Sequence, residues 1–140
     1  MAKPEAEALE GKWGSQALCL GWVPVPASLL FLQSKLNISP TEMNVLINLL
    51  LHWWRAGDKV YPSQDAIAHR MGVSKRTVQR SMDKLEGLGL VERISTARNT
   101  KYRGRNIYNL EPLAKTLSLH APVVKEGIGK FKGNKGERDD

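Results

Sequence analysis

Two helix starts stand eleven residues apart, at Ser63 and Ser74, and Gly72 lies just before the second. This spacing leaves room for a helix of about two turns, one sharp turn, and a second helix. Pro62-Ser63-Gln64-Asp65 opens the first helix. There Ser63 can cap the end, and Asp65 sits near the positive pole of the helix dipole. The helix closes at Met71-Gly72, with Gly72 supplying the turn. The second is predicted from Lys75 to about Glu86, ended by Gly87 and Gly89. Val78, Met82 and Leu85 fall on one of its faces, which must turn inward. Lys75, Arg76, Gln79, Arg80 and Lys84 are then left pointing outward. Ala68 is small where the two helices have to approach closely.

The flanks extend this unit. Ser39-Pro40-Thr41-Glu42 is a capping box with proline at the first helical position, predicting a helix to Arg55 that Gly57 ends. One face carries Met43, Leu46, Ile47, Leu50 and Trp54, and a second carries Val45, Leu49 and Trp53. A helix apolar nearly all round is buried on more than one side. Either the short apolar helix expected from Pro26 to Leu36 covers the second face, or that face joins two copies into a homodimer, with the apolar N-terminal segment contributing. Val60-Tyr61 reads as a very short strand. Leu90–Ile94 and Asn106–Leu110 read as strands around a polar, basic loop, a hairpin. Residues 1–20 show no firm periodicity and are expected to form a flexible lead-in, with Trp13, Leu18 and Leu20 free to dock on the core. A short helix is expected over Glu111–Leu119, and residues 120–140 read as a disordered basic, glycine-rich tail.

Charge is concentrated. Residues 1–73 hold six basic and six acidic residues, and residues 74–110 hold nine and three. Residues 111–140 hold six and five, so nearly all of the formal +7 lies in the middle stretch. A local positive field of this kind suits an anionic polymer. In the hairpin loop Arg98, Lys101, Arg103 and Arg105 fall within eight residues with no acid among them, and Tyr102 is placed to pack against a sugar.

The run Pro62-Ser63-Gln64-Asp65-Ala66-Ile67-Ala68, Met71-Gly72-Val73-Ser74-Lys75-Arg76-Thr77-Val78-Gln79-Arg80, Leu85 and Leu88-Gly89-Leu90-Val91 resembles a winged helix-turn-helix domain of the bacterial and phage type. The resemblance covers residues 39–110 and implies a mainly helical fold with a small β-hairpin, an extra N-terminal apolar helix and flexible tails. The winged helix domain would span residues 21–119, with the helix-turn-helix at 63–86 and the wing at 90–110. It implies that Ser74, Lys75, Arg76, Thr77, Gln79 and Arg80 face double-stranded DNA, with Lys84 beside them, and that the wing reaches flanking phosphates or the adjacent minor groove. Such a helix fits the major groove, where arginine and lysine donate to guanine and glutamine pairs with adenine. Ser74 and Thr77 sit where a helix N-terminus favours a phosphate, and Arg70 is within reach of another.

Other chemistry is poorly supported. His52, His69 and His120 share no ligand spacing, and the lone Cys19 excludes a multi-cysteine zinc site, so no metal and no cofactor are expected. Gly127-Ile128-Gly129-Lys130 lacks the spacing of a phosphate loop. No paired carboxylates or nucleophile–base set converge, so an enzyme is not expected. No apolar run reaches the roughly 18–20 residues of a membrane span, and Met1-Ala2-Lys3-Pro4-Glu5 lacks the order of a signal peptide. The expectation is a cytoplasmic, nucleoid-associated protein that binds DNA as a transcriptional regulator. The alternatives are a plasmid or phage replication-initiation or maintenance factor, and a winged helix that binds a protein partner.

Overall fold

The computed structural model describes residues 3–133. Three helices form the central unit. The first, α3 (Pro40–Leu50), starts on the expected capping box: Ser39 Oγ accepts from the Glu42 N–H at 3.1 Å, and Glu42 Oε1 accepts from the Ser39 N–H at 2.9 Å. It stops five residues short of Arg55. The His52 and Trp53 amides bond to the carbonyls three residues back, tightening the last turn, and Asp58 then closes a loop on the Arg55 amide at 3.2 Å.

The second and third, α4 (Gln64–Met71) and α5 (Lys75–Gly87), are joined by the predicted turn. Ser63 Oγ accepts from the Ala66 N–H and Ser74 Oγ from the Thr77 N–H, each at 3.1 Å. Between them Gly72 adopts φ 71°, and the Val73 N–H donates back to the Ala68 carbonyl at 3.1 Å. A side chain at Gly72 would be strained by this left-handed backbone. The turn lets α5 pack on both α3 and α4.

The sheet has three short antiparallel strands in the order β1 (Lys59–Val60), β3 (Ile107–Asn109), β2 (Glu92–Ile94). Tyr108 is the central residue, paired with Val60 on one side and Arg93 on the other. With β2 and β3 as the hairpin, the architecture is a winged helix-turn-helix. One core runs through it, built from Val45, Leu46 and Leu49 of α3, Ile67 of α4, Val78, Met82 and Leu85 of α5, and Tyr108.

The flanking segments hold further helices, one of them inside the stretch expected from Pro26 to Leu36 and the others in part against expectation. Residues 1–20 were expected to be irregular, but α1 occupies Lys3–Trp13. Trp13 and Leu20 remain 58% and 93% exposed, so neither docks on the core. The short helix α2 (Ala27–Leu32) buries Leu29 and Leu32 and packs on α6 (Glu111–Gly133). The tail expected to be disordered from residue 120 is therefore helical to Gly133, and the expectation for 134–140 lies outside the described residues. Leu117, Ala121, Val124 and Ile128 recur at helical spacing along α6, and the last three share an apolar cleft with Phe31 of α2. Packing against α2 carries the helix past Pro122, which removes one rung of the hydrogen-bond ladder.

The proposed dimer face also fails. Val45 and Leu49 are 0% exposed, inside the core, and only Trp53 of that stripe retains any surface. A homodimer through Val45, Leu49 and Trp53 is incompatible with this packing.

Candidate nucleic-acid interface

The geometry of α5 follows from its sequence. Val78, Ser81, Met82 and Leu85 are buried, a stripe at i, i+3, i+4 and i+7. At 100° per residue, Arg76 and Arg80 lie opposite this stripe, with Gln79 beside them. All three are exposed. Ser81 is the one buried polar residue of this stripe, and its hydroxyl donates to the Thr77 carbonyl at 2.9 Å, so it is not left stranded beneath the helix.

The remaining α5 residues divide between the two flanks and the N-terminus. Ser74 is occupied as the helix cap, and its Oγ lies 3.1 Å from the Thr77 Oγ1, so the two hydroxyls satisfy each other. Thr77 is half-buried. Lys75 lies 3.6 Å from Asp65 in a well-exposed ion pair. Such a pair contributes little to stability and exchanges readily for another anion. Lys84 turns to the flank beside α2, lining a concavity with Leu30, Asn37 and Glu42. It stands apart from the Arg76–Arg80 row.

On the other flank, Asp83 and Glu86 meet Arg93 of β2 at 2.6 and 2.5 Å. Their hydrogen bonds, Glu86 first and Asp83 second, raise the Arg93 pKa further above its ordinary value. Arg93 thus joins the wing's first strand to α5. Its guanidinium offsets one of the two carboxylate charges there, at side chains that all remain partly exposed.

The wing loop spans residues 95–106. Thr96 Oγ1 donates to the Arg105 carbonyl at 2.6 Å across its base, and Thr100 Oγ1 donates to the Ala97 carbonyl at 2.7 Å. At its tip Arg103 takes φ 53° and Gly104 φ 79°. A Cβ on Gly104 would lie 3.2 Å from the Arg98 Cγ, so the loop closes tightly there. Arg98, Lys101, Arg103 and Arg105 are all exposed. Tyr102 is turned inward, edge-on to Tyr61 at 5.3 Å between ring centroids, and Lys101 Nζ sits 5.1 Å over its ring. The aromatic ring expected against a sugar instead props the loop on the β1–α4 connection.

This prop brings together residues that sequence reading kept apart. Arg105 lines a concavity of about 500 Å³ with Lys59, Arg70 and Ser63 at the α4 N-terminus. Arg70 is held there by its Nε, which donates to Asn48 Oδ1 at 3.0 Å. Lys59 had not been singled out. It joins because β1 pairs with β3, a contact between distant segments that local pattern does not reveal.

Among the described residues no group of His, Cys, Asp and Glu could hold a metal ion, and no helix is long and apolar enough to cross a membrane. Residues 36–91 match the family model of a helix-turn-helix domain. The match covers α3, α4 and α5 and ends before β2, so the wing, α2 and α6 lie outside it. No curated protein matches the chain.

Proposed function

We propose that this winged helix-turn-helix binds double-stranded DNA in a sequence-specific manner and acts as a transcriptional regulator. The observation that carries the reading is the division of α5 into two faces. Val78, Met82 and Leu85 anchor it to the scaffold, and Arg76, Gln79 and Arg80 form a free row of long donors. A helix of this width enters the major groove, where those donors match guanine and adenine edges. Arg98, Lys101, Arg103 and Arg105 then grip the backbone or the adjacent minor groove, where arginine suits a narrowed groove's negative potential. Lys75 exchanges Asp65 for a phosphate, and Ser74 and Thr77 offer the capped helix end to the same strand. A regulator of this kind works in the cytoplasm, on the nucleoid.

Selection from a random duplex library tests the reading. The expected outcome is enrichment of a defined site that the protein binds at least a thousandfold more tightly than random duplex. With roughly 4–6 phosphates neutralised per protomer, log affinity should fall against log salt with a slope of about −4 to −5. Enrichment of no motif, together with equal affinity for all duplexes, would refute sequence-specific regulation.

A further inference from the structure

The hollow of about 500 Å³ beside α4 gathers cations from three separate elements: Lys59 of β1, Arg70 of α4 and Arg105 at the base of the wing. None of the three makes an ion pair among the described residues. Asp65, the acid in the first turn of α4, faces Lys75 and is not part of the lining. A space of this volume is about 10 Å across, about one Debye length in 0.1 M salt, so the three charges repel one another without being screened apart.

The cations are also held in place. Arg70 Nε donates to Asn48 Oδ1 at 3.0 Å, and the two terminal nitrogens of its guanidinium have no partner among the described residues. Lys59 Nζ donates to the Gly57 carbonyl at 3.2 Å. The Arg105 carbonyl is fixed by Thr96, and the Tyr61–Tyr102 contact sets the wing against the rim. Ser63, the cap of α4, lies in the same lining, so the positive end of a helix dipole adds to the field. Like charges fixed around one hollow cost the free protein stability, and an anion between them reverses the sign of that term.

We infer that this hollow seats a phosphate of the duplex backbone, with Lys59, Arg70 and Arg105 acting together on one stretch of strand. The inference rests on the DNA-binding reading and adds to it Lys59, which belongs neither to the helix-turn-helix nor to the wing. A free phosphate ester needs most of its surface enclosed, and exposed side chains such as Arg70 and Arg105 do not enclose one. A strand already held by α5 and the wing arrives at high effective concentration and needs no enclosure. Phosphate contacts fix register and orientation. Because Arg105 belongs to the wing and Arg70 to α4, a phosphate between them sets the wing's position on the strand relative to α5.

The test uses the full chain and the duplex enriched by library selection, with a single uncharged methylphosphonate linkage moved along both strands. In the parent protein, one linkage or two neighbouring ones should weaken binding about tenfold through this hollow. Lys59→Gln should weaken the unmodified duplex by a similar factor and abolish the sensitivity to that linkage. It should also make the salt slope shallower by about 1 and leave the selected sequence unchanged. Arg70→Gln should silence the same linkage, and Arg98→Gln, on the wing outside the hollow, should not. The proposal fails, with sequence-specific binding intact, if Lys59→Gln and Arg70→Gln silence no linkage or if Arg98→Gln silences the same one. Saturable binding of AMP to the DNA-free protein, lost in Lys59→Gln with no linkage silenced, would assign the hollow to a free phosphate ester and overturn the proposal. A parent protein that binds no duplex would sink the DNA-binding reading and this inference with it.

Discussion

Helix α5 and the wing loop each carry four exposed cations, with Lys84 of α5 set apart on the flank beside α2, but they hold them differently. In α5, Lys75, Arg76, Arg80 and Lys84 project from a backbone fixed by a serine cap and by Val78, Met82 and Leu85 underneath. In the wing, Arg98, Lys101, Arg103 and Arg105 project from a loop closed by two threonine hydroxyls, a tyrosine pair and a left-handed tip. Base edges demand placement within fractions of an ångström, and phosphates tolerate far more variation. The packed helix is suited to the first task and the tethered loop to the second.

The sharpest way to break this contrast is to undermine the helix from below. Leu85→Ala should cost about 2–5 kcal/mol of stability in denaturant unfolding, because it leaves a cavity under α5. Replacing Arg98 by alanine on the wing should change stability by less than about 0.5 kcal/mol. Comparable losses from the two would show that α5 is no better anchored than the loop.

The next largest effect concerns sequence choice. Arg76→Ala should cost about 1–3 kcal/mol on the selected site and relax selection at one base position, with little change on random duplex. Repeating the library selection with the variant measures both. A uniform loss on every duplex would move Arg76 into the backbone-gripping class.

Arg103 probes the wing. Arg103→Ala should weaken all sequences alike and make the salt slope shallower by about 1. Arg103→Gly removes the same charge but suits the left-handed backbone, so it should be more stable than Arg103→Ala by about 1 kcal/mol in denaturant unfolding. Equal stability of the two variants would mean that the tip is not held in that conformation.

The smallest effect comes from the strand that supports the wing. Burial raises the Tyr108 pKa above its usual value near 10. The unfolded chain then releases this proton first. Stability is intact below about pH 10 and declines as pH rises from there through the folded-state value. Tyr108→Phe should flatten that alkaline decline in a pH series of thermal melts. An unchanged profile would assign the decline to other groups.

Much of this arrangement was legible because it is local. The caps at Ser39, Ser63 and Ser74, the Gly72 turn and the stripe of α5 each depend on residues within one or two turns. Features made by distant segments were not legible. Lys59 joins Arg70 and Arg105 only through strand pairing, and Arg93 reads as a free cation until β2 is laid against α5. Val45 and Leu49 left two readings open, a covering helix or a second copy, because sequence periodicity does not say what covers a face. The second half of α6 was missed for a related reason. Its basic, glycine-rich composition suggested a disordered tail, while packing against α2 sustained the helix.

The contact between Arg93 and the two carboxylates of α5 has a mechanical consequence. It links the wing to the helix like the jaws of a caliper, so the span between the two points of grip belongs to the protein and not to its target. Under the proposed function, a duplex would have to present a groove and a flanking backbone at that separation, and sequences that narrow or bend easily into this shape would gain affinity at positions that no side chain touches. Loosening the hinge, for example with Arg93→Gln, would make the molecule less exacting about curvature and leave its preference at directly contacted bases in place.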